Sequence, residues 1–72
     1  MKIVNEMPKT GSFVMVWKSN NDLYSDSFKY IDGVLHVWCF DDEEDILESW
    51  VEEDISVYHI ILNECNPKFI VN

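Results

Sequence analysis

The sequence predicts an α+β domain: an antiparallel sheet of about four strands, a meander plus a returning strand, with one acidic amphipathic helix packed on it. Three observations carry this expectation. Apolar side chains recur at every second position over 12–18, 23–30 and 34–40, which is the period of a pleated strand. Asp32-Gly33 stands between two of these runs, and a two-residue type I′ hairpin needs residues that accept positive φ. At Ile46 the apolar period lengthens: Ile46, Leu47, Trp50 and Val51 follow i, i+1, i+4, i+5 spacing, one stripe of a helix.

In chain order, Pro8 to Gly11 reads as a turn. Ser12 to Lys18 follows as a strand with Phe13, Met15 and Trp17 on one face and Val14 and Val16 on the other. Apolar residues on both sides predict that both faces are at least partly covered. Ser19-Asn20-Asn21-Asp22 is turn chemistry. Leu23 to Tyr30 is a second strand, with Tyr24, Phe28 and Tyr30 opposite Ser25, Ser27 and Lys29, the pattern of a half-exposed strand. Val34 to Phe40 is the third; Val34, His36, Trp38 and Phe40 point one way and Leu35, Val37 and Cys39 the other. A helix is expected at about 42–53, with Asp41 or Asp42 as N-cap and acidic residues in the first turn, where the helix dipole favours them. The β-branched run Ile55 to Leu62 predicts a return to strand, Asn63 to Pro67 a turn, and Phe69 to Val71 a short last strand or docked tail.

Seventy-two residues predict a single domain, 1–72, too short for a dinucleotide-binding fold or a barrel. Nearly half of them are apolar, which supports a packed core despite a net charge of −9. No apolar run approaches the ~18 residues of a membrane span, and residues 1–6 show neither the apolar segment nor the cleavage site of a secretory signal. The expected compartment is therefore the cytoplasm. There, Cys39 and Cys65 are expected as free thiols, Cys39 buried beside Leu35 and Val37.

The placement of charge is the most specific feature. Lysines and carboxylates cancel over 1–40 and again over 55–72, so the whole −9 lies in 41–54, DDEEDILESWVEED. Its carboxylates are Asp41, Asp42, Glu43, Glu44, Asp45, Glu48, Glu52, Glu53 and Asp54, with no cation among them. On a helix Glu44, Glu48 and Glu52 stack at i, i+4, i+8, and each like-charge pair costs a few tenths of a kcal/mol. Anions at the C-terminal end also oppose the dipole. A helix of 14 residues is about 21 Å long, so nine charges give roughly one per 2.3 Å. Duplex DNA carries one per about 1.7 Å of axis. A surface of this density matches the basic groove of a nucleic-acid-binding protein.

The catalytic inventory is thin. His36 and His59 both fall in apolar runs, no motif flanks Cys39, and no enzyme is expected. Zinc would require the scattered His36, Cys39, His59 and Cys65, of which His36 and Cys39 face opposite sides of one strand. The run Asp41 to Asp45 has oxygens for calcium but lacks the alternating spacing and the glycine of an EF-hand loop. No cofactor or metal is expected.

Two segments resemble a small phage-associated domain family of unknown function, whose members open with an LPxxGxxVLV pattern and close with a VTHW strand. Met7-Pro8-Lys9-Thr10-Gly11-Ser12-Phe13-Val14-Met15-Val16 is similar to the first and Val57-Tyr58-His59-Ile60 to the second. Methionine, tyrosine and isoleucine replace the family's leucine, threonine and tryptophan. The resemblance implies a phage or prophage origin and supplies no activity. Small acidic phage proteins that resemble nucleic acid block restriction enzymes, CRISPR effectors or host DNA-binding proteins. The expectation is therefore an inhibitor whose carboxylates at 41–54 dock on a nuclease, CRISPR effector, polymerase or repressor, with no nucleic acid or membrane binding of its own. The competing expectation is an oligomeric phage accessory protein. In that reading Trp17, Trp38 or Tyr30 lies in a homodimer interface and the acidic run only solubilises.

Overall fold

A computed structural model describes residues 1–39 and 49–72. Six antiparallel strands form one sheet: β1 (Lys2–Val4), β2 (Ser12–Ser19), β3 (Asp22–Ile31), β4 (Val34–Cys39), β5 (Ser49–Glu52) and β6 (Lys68–Val71). Their spatial order is β1-β6-β2-β3-β4-β5. Strands β2 to β5 run as a meander, and β6 returns to pair with β2 on one side and β1 on the other.

The two hairpins follow from their turn residues. Asn20 and Asn21 (φ 52° and 70°) join β2 to β3, and Asp32 and Gly33 (φ 52° and 79°) join β3 to β4. Both pairs occupy the left-handed region that a two-residue primed turn requires. The closing pairs Ser19↔Asp22 and Ile31↔Val34 then set the register of every side chain beyond them.

The core lies on one face of the sheet. Phe13, Met15, Phe28, Leu35, Val37 and Phe69 are buried there. Phe13 stacks on Phe28 with centroids 5.3 Å apart and meets Phe69 edge-on at 5.8 Å. A helical segment covers this face: a 3₁₀ turn, Ile55–Tyr58, runs into helix α1, His59–Glu64. Ile55, Tyr58, Ile61 and Leu62 pack on the core, and Tyr58 sits edge-on to Phe28 at 5.3 Å. Met7 packs at the same margin, and the Tyr30 hydroxyl donates to the Pro8 carbonyl at 3.0 Å.

Several expectations need correction. The segment 55–62 is helical, not a strand. Asp54 caps it by accepting from the Ser56 backbone N–H at 3.0 Å, and Ile55, Tyr58, Ile61 and Leu62 form a stripe of period three to four. Read at period two, the same β-branched run looks extended. The helix expected at 42–53 is not continuous: Ser49–Glu52 is a strand, held to β4 through the pairs Trp38↔Trp50 and Val37↔Val51. The ladder to β4 outweighs the i, i+4 apolar pattern, which Trp50 and Val51 satisfy equally well as alternating strand residues. Ile46, Leu47 and the rest of that expected helix lie outside the described residues. Among the described residues the sheet has six strands, not about four, because β1 and β5 add its two edges. Among the described residues the helical share is the ten residues 55–64, so they are mostly β.

Candidate functional site

The nine carboxylates singled out in the sequence divide into two groups. Asp41, Asp42, Glu43, Glu44, Asp45 and Glu48 lie outside the described residues. Glu52, Glu53 and Asp54 are placed, at the end of the edge strand β5. Glu52 is exposed and sits opposite His36 of β4. Glu53 extends the same ladder, donating its N–H to the Leu35 carbonyl at 3.0 Å. Its side-chain Oε1 accepts from the Asp54 N–H at 3.1 Å. Asp54 is exposed, and its carboxyl is held below the usual carboxylate range, first by the Ser56 backbone N–H and then by the Ser56 hydroxyl.

This geometry corrects the single acidic stripe. Strand alternation sends Glu52 to one side of the sheet and Glu53 to the other. The charge density calculated for one helix does not carry over to 49–54, where extended residues rise about 3.3 Å each. What the structure retains is the position: Glu52, Glu53 and Asp54 lie where the sheet ends at β5.

The second feature was foreshadowed in the sequence only by Trp38, one of the interface candidates. Among the described residues, no element covers the face of the sheet opposite the helical segment. The register brings Ile3, Ile70 and Val14 into one cross-strand row, with Ser27 beside Val14 and the Trp38↔Trp50 pair at the far end. The two indoles meet edge-on at 5.1 Å, and the Lys29 ammonium sits 4.5 Å from the Trp50 ring centroid. Met1, Ser12, Val14, Ser27, Trp50 and Ile70 line an open basin of about 490 Å³ on this face. Lys18, Lys29 and Lys68 also alternate onto this side, while Glu52 supplies its one strand carboxylate among the described residues. Each lysine was legible singly; that they share one face depends on long-range pairing such as Val16↔Lys68.

Trp50 therefore packs on the open face, half-buried against Trp38 and Lys29, and not in the core. Trp17 and Tyr30, read as interface candidates, belong to the covered face. Trp17 stacks on Tyr24 at 5.8 Å, and Tyr30 packs at 6.3 Å from Phe13. Of the three aromatic candidates, only Trp38 is on the open face.

The described histidines and thiols are placed as follows. His36 Nδ1 pairs with the Val34 carbonyl at 2.8 Å. His59 opens α1, not a strand, and its Nδ1 pairs with the Ser56 carbonyl at 2.9 Å. Cys39 and Cys65 are free thiols, and Cys39 is exposed, not buried, because it ends β4 opposite Ser49 at the sheet margin. Among the described residues no three His, Cys, Asp or Glu side chains converge on a point that could hold a metal ion. No described helix is long and apolar enough to cross a membrane. The Tyr58 hydroxyl, which donates to Asp26 Oδ2 at 3.0 Å, is held well above the ordinary phenol range by burial and by the Asp26 charge.

No protein-family model matches the chain, and neither the curated proteins nor the solved structures contain a match to it.

Proposed function

We propose that the protein is a non-enzymatic, phage-encoded inhibitor that presents the carboxylates of 41–54 to the basic groove of a nucleic-acid-binding protein, in the manner of an anti-CRISPR, anti-restriction or host-takeover factor. One observation carries this reading: nine of the 14 carboxylates lie in 14 consecutive residues without a cation. A solubilising charge is effective when dispersed. A concentrated one repels itself and gains most when a cationic partner neutralises it. The position of Glu52 and Asp54 at the edge of the sheet supports the reading, since a groove can receive an edge without contacting the core. The resemblance of residues 7–16, which lead into β2, to a phage-associated family supports the proposed origin, whereas residues 57–60 are helical and do not form that family's closing strand.

The test combines capture with competition. Immobilised protein is exposed to bacterial lysate and eluted with a salt gradient, and the captured protein's DNA or RNA affinity is measured with and without the acidic chain. The expected result is competition that weakens steeply with salt. The combined variant Glu44→Lys, Glu48→Lys and Glu52→Lys should lose on the order of tenfold or more in inhibition, because attraction becomes repulsion and steering is lost. If that variant melts normally and inhibits as well as the natural chain, the acidic segment is solvated surface and the proposal fails.

A further inference from the structure

We infer that the open face of the sheet is a self-association surface, on which a second copy of this chain packs sheet to sheet. A sheet face studded with apolar side chains is stable when another layer covers it. Here the layer of residues 55–64 covers only the core face. On the opposite side Leu23 is 74% exposed, Ile3 65% and Val34 43%, and Ile70, Trp38 and Trp50 are half-buried between them. Ile3, Ile70, Val14, Trp38 and Trp50 follow one cross-strand row from β1 to β5, with Ser27 among them, and Leu23 and Val34 flank that row toward opposite hairpins.

Area and charge name the occupant. Six strands at about 4.8 Å spacing, paired over about five residues, project to roughly 500 Å². Side-chain relief raises the accessible area toward the about 800 Å² per partner of a standard stable interface. The composition, two tryptophans with aliphatic neighbours, is that of an interface centre. The charge of the face is opposite in sign to that of the chain. It bears Lys18, Lys29 and Lys68 against Glu52, whereas the whole protein carries −9. Two acidic chains repel each other wherever carboxylates meet. Packing through this face keeps most carboxylates of the two chains apart, since Glu52 is its one strand carboxylate among the described residues.

The test is a concentration series on the full chain, by sedimentation velocity and by amide and indole NMR. The natural protein should shift from 8.5 kDa towards about 17 kDa, two chains, as concentration rises into the micromolar range. The indole N–H signals of Trp38 and Trp50 should move with concentration while that of Trp17, on the covered face, stays fixed. Val34→Glu and Leu23→Glu replace exposed side chains, so their melts should stay close to that of the natural chain. Each should weaken association on the order of tenfold or more. Raising salt should leave association unchanged or strengthen it, by screening the −9 on each copy, the opposite of the salt effect on inhibitor docking. A natural chain that stays at 8.5 kDa, or a dimer in which Trp17 shifts and Trp38 and Trp50 do not, overturns the inference. So does association that survives both glutamate substitutions.

Discussion

At the residue scale, Tyr58 shows how a single side chain ties the covering segment to the sheet. Its ring meets Phe28 edge-on and its hydroxyl donates to Asp26, a contact spanning 32 residues. Burial, the Asp26 charge and that hydrogen bond all favour the neutral phenol, so its folded pKa lies above the ordinary value of 10.0. For a group shifted upward, the stabilisation is complete below the unfolded pKa and falls as pH rises through the range between the two. Urea midpoints should therefore hold steady through neutral pH and decline above about pH 10. Tyr58→Phe should remove most of that alkaline decline and cost about 1 kcal/mol at pH 7 through the lost hydrogen bond to Asp26. An alkaline slope identical in the two proteins would locate the titration elsewhere. Gly33 is a second single-residue determinant. No atom lies within 4 Å of the position a Cβ would take, so Gly33→Ala introduces no clash, only an unfavourable φ of 79°. It should destabilise by about 1 kcal/mol, and Gly33→Asn by less, because asparagine tolerates the left-handed region. Thermal melts of the pair test this directly.

At the scale of elements, β6 and β5 have contrasting roles. Phe69 of β6 is 2% exposed and pairs with Met15, in the centre of the core. Phe69→Ala should cost 3–5 kcal/mol by leaving a cavity, a large part of the stability of so small a domain. Trp50 of β5 contacts Trp38 and Lys29 on the open face and leaves no cavity in the core when truncated. Trp50→Ala should cost about 1 kcal/mol in the monomer and abolish the far-ultraviolet exciton couplet of the indole pair. Equal losses for the two alanine variants, measured by urea denaturation, would contradict the assignment of Trp50 to the open face. The short helical element needs no long hydrogen-bonded ladder of its own, because Asp54 caps its first turn and Ile55, Tyr58, Ile61 and Leu62 anchor it.

At the scale of the whole molecule, charge and apolar surface are segregated. The carboxylates concentrate in 41–54, and three of the five lysines alternate onto the open face. Of these lysines only Lys29 lies against an indole, a cation beside aromatic rings that in a basic protein would suit single-stranded nucleic acid. The net field of −9 opposes it, since phosphates approach against repulsion before any stacking forms. Fluorescence anisotropy with single-stranded and duplex DNA at low salt should show no micromolar binding; a salt-sensitive titration with either would refute this.

The sequence by itself determined the three meander strands, both hairpin turns and the sidedness of each strand. These rest on local rules: period-two alternation, and residues that accept positive φ at Asn20, Asn21, Asp32 and Gly33. It also located the concentration of charge, which needs no structure. Only the tertiary structure decided three further matters. Ser49–Glu52 became a strand because β4 offered an unpaired edge, and 55–64 became helical because the core face needed a cover of that stripe. Lys2–Val4 became a strand because β6 lay beside it. The open face, with its lysines and tryptophans, exists only through pairings between residues distant in the chain. Local periodicity cannot specify such contacts, because the same side chains satisfy a strand or a helix until a neighbouring element supplies the hydrogen bonds and the buried surface.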